Sequence, residues 1–416
     1  MNNIQADTQE KQVQADTQEK TVSTDTQEKP VLSSSPDGRL GIIPLLSTQE
    51  IGRKINNHLV GWRKKRVGDG LVSGSNGYVR DSFIIHASTP RFGSGEGKGV
   101  IKESVRGDDL YILVDVCNYS VTYNIAGFEN VMSPDDHYQD LKRVIAAAGG
   151  KAHRINVIMP YLYEGRRQIR TGRESLDCAN ILQELVNLGV DNIITFDAHD
   201  PRVQNAIPLS GFESMSPTYQ FIKNILRYNK GLTVDADHLM SISPDQGGMS
   251  RAIYIANVLG INMGMLYKRY DYTTVTNGQH PVLAHEFLGS DVEGKDIIII
   301  DDMISSGDKV LETAQVLKRK GCGKVFICAT FGIFTSGLSR FDDAYKRGLF
   351  DMLITTNLVY QPEELLQKPY YINCDMSKYL ALVIDTLNHD ASLSQLLDPV
   401  DRINKIVDKY NRGETF

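Results

Sequence analysis

The sequence predicts an α/β protein: two successive sets of parallel strands alternating with helices, behind a disordered N-terminal tail. Three observations lead there. From Gly41 onward, short apolar runs alternate with helix-like segments, the pattern of parallel strands joined by crossover helices. Residues Ile297–Ile300 are four consecutive isoleucines, as in a strand covered on both faces. Residues 1–36 hold a nine-residue repeat (5–13, 14–22 and 23–31) that is almost free of apolar side chains. Such units cannot offset their ordering entropy by burial, and they lack the glycines of a β-helix repeat, so a disordered tail is expected.

In order along the chain, Asp109–Asp115 reads as a strand. A helix is expected over Pro134–Ala148, with Ser133 as N-cap and Pro134 in the first turn. Arg154–Pro160 is the next strand. Ser175–Leu188 reads as a helix with an apolar face of Leu182, Leu185 and Val186, closed by Gly189. Asn192–Asp197 follows as a strand. The second set runs Leu239–Ser243 (strand), Met249–Leu259 (helix), Asn262–Tyr267 and Asp296–Ile300 (strands), Lys309–Lys320 (helix) and Lys324–Phe331 (strand). Leu338–Arg347 (helix), Asp351–Thr355 (strand) and a last helix near Lys378–Asn388 complete it. A break near 212–217 divides the globular part into 37–213 and 214–416.

The 416 residues include 41% hydrophobic and 23% charged side chains, ordinary for a globular protein. No apolar run approaches the ~18–20 residues that span a bilayer, and neither a basic n-region nor an apolar h-region opens the chain. The five cysteines are scattered and form no C-x-x-C pair, so neither a disulfide framework nor a zinc site is expected. A net charge of −6 argues against coating nucleic acid or anionic lipid. A cytoplasmic protein without nucleic-acid or membrane partners is expected.

The strongest local signal is Lys295 to Gly307. An all-isoleucine strand ends in Asp301 and Asp302, and a small polar turn, Ser305-Ser306-Gly307, leads into an amphipathic helix. Ligands of open α/β sheets bind outside the carboxyl ends of the strands. The turn's N–H groups at a helix N-terminus offer an anion site, and the acids can hold sugar hydroxyls or Mg²⁺. The alternative is an ordinary β–α turn with a capping serine. The glycines between Gly93 and Gly99 alone read as a flexible loop, and no Walker loop occurs. Arg166, Arg167, Arg170 and Arg173 fall between a strand and a helix; they read as a lid for a polyphosphate or as a solvated basic loop. Asp197-Ala198-His199 and Ser243-Pro244-Asp245 also end strands at the expected ligand edge.

Taken together, these segments resemble the ribose-phosphate pyrophosphokinases, also called phosphoribosyl pyrophosphate synthetases. Glu103-Ser104-Val105-Arg106-Gly107 is similar to E-S-V-R-G-x-D. In the family's order come Phe92–Glu96 (F-S-[DN]-x-E), Pro160–Arg167 (P-Y-x-x-Y-A-R-Q), Asp197–His199 (D-L-H), Gly211-Phe212 (G-F-F) and Ser243–Arg251 (S-P-D-A-G-G-A-K-R). Tyr267-Lys268-Arg269 (H-K-x-R), Asp301–Met303 (D-D-M) and Gly332–Phe334 (G-I-F) follow. The resemblance implies two tandem phosphoribosyltransferase-like, Rossmann-like domains with parallel sheets. It implies transfer of the β,γ-diphosphoryl group of ATP to C1 of ribose 5-phosphate, with Mg²⁺ as cofactor, and a homo-oligomer built from dimers, up to a hexamer.

Carried over residue by residue, the resemblance gives Lys268, Arg269 and Arg166 catalytic roles. Phe92, Ser94, Glu96, Arg166, Arg167 and His199 would bind ATP. Asp245, Asp301, Asp302, Ser305, Ser306, Gly307 and Lys309 would bind ribose 5-phosphate, and His199 and Asp245 the metal. Some positions differ. The arginine two residues after the lysine is Tyr270, with Arg269 beside it. The loop glutamine falls on Arg167, followed by Gln168, and Ser94 replaces an acid or amide. D-T-x-G-T reads Ser305-Ser306-Gly307-Asp308-Lys309; Lys309 would add charge for the phosphate, and Asp308 would repel it unless turned away. The chain is longer than ordinary family members through its tail, Gly68–Ile85 and Ala126–Met132. Two other readings stay open: a non-catalytic, synthetase-associated paralogue that binds nucleotide, and a type I phosphoribosyltransferase.

Overall fold

The computed structural model describes residues 36–72, 77–170, 172–270 and 282–416. The repeat tail expected to be disordered therefore lies outside the described residues, apart from its last position.

The first sheet has five parallel strands in chain order: β1 (Arg39–Pro44), β2 (Asp108–Leu113), β3 (Arg154–Ile158), β4 (Asn192–Phe196) and β5 (Gly211–Met215). Helices α2 (Pro134–Ala148) and α3 (Asp177–Asn187) cover one face, packing Leu141, Val144, Leu182 and Leu185 on Ile43, Ile112, Val157 and Ile193. α2 starts as its sequence indicates. Ser133 accepts the Asp136 N–H, the Asp136 carboxylate accepts the Ser133 N–H, and Pro134 opens the first turn. After α3, left-handed Gly189 (φ 90°) stops the helix.

The opposite face is covered by α1 (Gln49–Gly68) and, from the far end of the chain, by α8 (Ser377–Asn388). Arg63 and Asp385 are both 1% exposed and lie 3.3 Å apart, with Arg66 as a second cation on the same carboxylate. Asn388 Nδ2 donates at 2.9 Å to Asp109, a fully buried acid that Arg154, Tyr111 and Asn156 also serve. α4 (Thr218–Tyr228) joins the same core.

The second sheet runs β8–β7–β6–β9–β10–β11–β12. Its strands are β6 (Leu239–Ser243), β7 (Asn262–Tyr270), β8 (Val282–Gly289), β9 (Asp296–Ile304), β10 (Val325–Gly332), β11 (Met352–Thr356) and β12 (Tyr371–Cys374). Only the β7–β8 pair is antiparallel. α5 (Met249–Leu259), α6 (Asp308–Arg319) and α7 (Ser339–Lys346) pack on it, and α9 (Val400–Asn411) packs on α4 and α5.

Two expectations shift. A division at 213/214 cuts β5, which is hydrogen-bonded along β4 as far as Met215, and it separates α8 from the first sheet, against which it packs. We propose the boundary after Met215, with α8 returning across it. Strand β9 was expected to stop at Ile300 and continues to Ile304, because β10 keeps pairing alongside it: Asp301 lies opposite Ala329 and Ile304 opposite Gly332.

Candidate active site

The chain order of the second sheet reverses between β6 and β9, and the carboxyl ends of these two strands carry the acids. This is the switch point at which open α/β sheets bind ligands. Since β9 extends past them, Asp301 and Asp302 are buried, at 1% and 6% exposure. The Asp302 N–H donates to Asp301 Oδ1 at 3.0 Å and the Met303 N–H to Asp302 Oδ1 at 2.8 Å, which fixes both carboxylates.

Asp301 and Asp302 meet different basic side chains. Lys309, on the first turn of α6, donates to Asp245 Oδ2 at 2.8 Å and forms an ion pair with Asp301 at 2.6 Å. Asp245 Oδ1 also accepts the N–H groups of Gly247 (2.8 Å) and Gly248 (3.2 Å). His199 Nδ1 lies 2.6 Å from Asp302 Oδ2, and the Arg251 guanidinium is 4.0 Å from that oxygen. Arg251 donates to Asp197 Oδ1 at 2.6 Å, and the Thr330 hydroxyl to Asp197 Oδ2 at 2.7 Å. Asp197 is left-handed (φ 44°), a conformation held by these contacts and costly for a non-glycine residue. The end of β4 is thereby locked onto the second sheet.

The neighbouring carboxyls are pushed apart in acidity. Burial raises Asp301, with the like charge of Asp302 adding to it and Lys309 opposing. Burial acts on Asp302 too, but His199 and Arg251 prevail and hold it well below the usual carboxylate range. Burial opposes ionisation of Asp245, yet Lys309 and the two glycine N–H groups bring it below its ordinary value.

Among the described residues, Arg166 brings the arginine loop to this cluster. Arg166 Nη1 is 3.5 Å from Met303 Sδ, beside Asp302. Arg167 is exposed, and Thr171 lies outside the described residues. The turn after β9 keeps its expected place. Left-handed Gly307 (φ 87°) precedes α6 and sits against the Phe341 ring, where a Cβ would clash. Ser305 and Ser306 hydroxyls bond Thr335 and Asp308. Asp308 is turned onto Arg340, which offsets its charge beside the turn. Lys309, expected to add charge for the phosphate, directs its ammonium to Asp245 and Asp301, one of them buried.

Lys268 and Arg269 lie in β7 opposite His285 and Ala284, beyond the expected end of that strand. The irregularity in the ladder falls after both, between Arg269 and Tyr270. Phe92, Ser94 and Glu96 sit on a separate loop of the first unit and share no hydrogen bond or ion pair with the acid cluster among the described residues. Sequence reasoning gave no role to Arg251, Thr330 or Arg340. The signal for Arg251 was its place at the end of the Ser243–Arg251 motif; nothing local marks the other two.

His199 and Asp245 face one small space: a Cβ on Gly247 would lie 3.2 Å from Asp245 Oδ1 and 3.8 Å from His199 Cε1. Among the described residues no three His, Cys, Asp or Glu side chains form a ready metal cage. That donor set suits Mg²⁺, which is commonly held by one or two carboxylates together with substrate phosphates.

Comparison with known proteins agrees with this architecture. Residues 40–189 match the family model "N-terminal domain of ribose phosphate pyrophosphokinase", and residues 274–398 match the model "phosphoribosyl synthetase-associated domain". The ribose-phosphate pyrophosphokinase of Vibrio parahaemolyticus is 28% identical over 316 residues, covering 75% of this chain and 91% of that protein. That of Pasteurella multocida is 27% identical over 314 residues, covering 74% and 90%. In three dimensions the chain resembles the crystal structure of phosphoribosylpyrophosphate synthetase from Mycobacterium smegmatis, with a TM-score of 0.67 and 20% identity over 85% of this chain and all of that one. That likeness supports the fold. The chain belongs to the ribose-phosphate pyrophosphokinase family.

Proposed function

We propose that the protein transfers the diphosphoryl group of ATP to the C1 hydroxyl of ribose 5-phosphate, releasing AMP. The observation that carries this reading is the convergence of His199, Asp245, Asp301 and Asp302 at one switch point, beside an anion-binding turn at the start of α6.

In this reading Ser305–Gly307 and the positive end of α6 take the 5-phosphate. Asp301 and Asp302 accept sugar hydroxyls, and Lys309 orients Asp301 and Asp245. The C1 hydroxyl gives up its proton to solvent as its oxygen bonds to the β-phosphorus, the bond from that phosphorus to the α,β-bridging oxygen breaks, and the bridging oxygen leaves on AMP. Little covalent chemistry falls to the protein, so its work is alignment and charge stabilisation. Arg166 and Lys268 supply positive charge around the transferring group, with Arg167 and Arg269 nearby in sequence. Phe92, Ser94 and Glu96 take the adenine. His199 and Asp245 would hold Mg²⁺, which would supply further positive charge against the phosphates.

No helix among the described residues is long and apolar enough to cross a membrane. We place the protein in the cytoplasm as a homo-oligomer built from dimers, acting on small molecules. Incubation with ATP, ribose 5-phosphate and Mg²⁺, with chromatography of the nucleotides, tests the reaction. AMP that appears only when both substrates are present supports it; ADP as the product overturns it.

A further inference from the structure

The segment around Ala126–Met132 belongs to a hairpin that lies against the loop that carries Phe92, Ser94 and Glu96. Its strands Thr122–Ile125 and Phe128–Val131 are joined by Ala126 (φ 50°) and Gly127 (φ 88°), both left-handed, as a two-residue type I′ turn requires. The loop is a tight turn of its own. The Phe92 N–H donates to the Glu96 carbonyl at 2.7 Å, the Gly95 N–H to the Phe92 carbonyl at 2.8 Å, and the Ser94 hydroxyl to Glu96 Oε2 at 2.9 Å.

The hairpin grips this turn at two points. The Ala126 N–H donates to the Gly93 carbonyl at 3.1 Å. Ile125 lies directly against Gly95, where a Cβ would come within 2.9 Å of Ile125 Cδ1. Gly95 is also left-handed (φ 91°), so backbone and neighbour both require glycine. At the root of the loop Arg91 stacks 4.9 Å over the Tyr123 ring and is tied to buried Asp140 at 2.7 Å.

We infer that this hairpin is a brace that sets base selectivity, by fixing where the Glu96 carboxylate sits. The inference rests on the proposed assignment of the Phe92–Glu96 turn to the nucleotide base. Stacking on exposed Phe92 accepts any base, because every base has a π-face. Discrimination must come from a polar edge, where a group left unpaired is costly. A carboxylate only accepts hydrogen bonds, so Glu96 favours a base with an amino group there and opposes one with a carbonyl. That choice is as sharp as the carboxylate is fixed, and the clasp on Gly93 and Gly95 fixes it. Ile125 is thus a positioning residue.

The test is equilibrium binding of ATP and GTP to the assembled full-length protein, without sugar, for the native chain, Ile125→Ala and Ile125→Val. The native chain should prefer ATP. Ile125→Ala should weaken ATP on the order of tenfold while leaving GTP nearly unchanged. Ile125→Val should restore most of the preference, and the oligomeric state should be the same in all three. An unchanged ATP-to-GTP ratio overturns the brace, as does a native chain with no preference, or a loss of ATP binding that follows dissociation of the assembly. A protein that binds ATP selectively but forms no AMP would sink the proposed reaction and leave this inference standing.

Discussion

His199 Nδ1 lies 2.6 Å from Asp302 Oδ2, although one residue follows the first sheet and the other lies within the second. His199 follows β4 and Asp302 sits inside β9. The pair therefore ties the loop expected to meet ATP to the strand expected to meet the sugar. Replacing His199 by Ala should cost kcat on the order of 10²–10³, the usual scale for one preorganised partner. It should also release Asp302 toward ordinary acidity, moving the acid limb of the pH–rate profile upward. A His199→Ala enzyme with native kcat and an unmoved acid limb would refute the role.

Lys268 and Arg269 make the second test. The β7–β8 ladder stays in register through both, and consecutive positions of a regular ladder belong to opposite faces of the sheet. Positive charge near the transferring group acts more in the transition state than in the ground state. Lys268→Ala should lower kcat by roughly 10²–10³ with ATP affinity nearly constant. Arg269→Ala should be close to silent. Steady-state kinetics decide it, and equal losses in the two variants would show that Arg269 replaces the arginine missing at Tyr270.

The buried Arg63–Asp385 pair provides a stability test. Both side chains are 1% exposed, and Asp385 also carries Arg66. Removing the acid leaves buried positive charge uncompensated, a loss of about 3–5 kcal/mol. Asp385→Ala should lower the urea midpoint accordingly, whereas removal of the exposed Lys64–Asp81 pair should change it little.

Asp115 provides a pH test. Its carboxyl is buried after β2 and accepts N–H groups from Cys117 and from Tyr360 of the second unit. Burial pushes its pKa up to about 7, with the two N–H groups opposing. An acid raised on folding holds its proton more tightly in the folded chain. Its contribution to stability is therefore present below the unfolded value of ~4 and is lost as pH rises toward about 7. Between pH 4.5 and 7.5 the native protein should lose more Tm than Asp115→Asn does, with the difference levelling above that range. Parallel profiles would contradict the assignment.

How much was legible beforehand follows from where the information lies. The acids Asp197, Asp245 and Asp301 were readable as site candidates because each closely follows a local apolar run. The helix Gln49–Gly68 was not, since the face it buries includes Arg63 and Arg66 and their partner Asp385 is more than 300 residues away. Its apolar stripe of Ile51, Ile55, Leu59 and Trp62 is set among charged residues that only the distant partner explains. The end of β9 was missed for a related reason. Aspartates are poor strand formers, and only the facing backbone of β10 keeps Asp301 and Asp302 in the ladder. The place of Lys309 was equally hidden, because one of its acids arrives from β6 and the choice between turn and carboxylates is made in three dimensions.

The central claim is tested most directly by following phosphorus. In ³¹P NMR of the protein with ATP, ribose 5-phosphate and Mg²⁺, the β and γ signals of ATP should disappear together. They should be replaced by one diphosphate attached to the sugar and one equivalent of AMP, and His199→Ala should slow both on the order of 10²–10³. Signals of ADP and a singly phosphorylated product, or ATP that persists unchanged beside the sugar, would contradict the account.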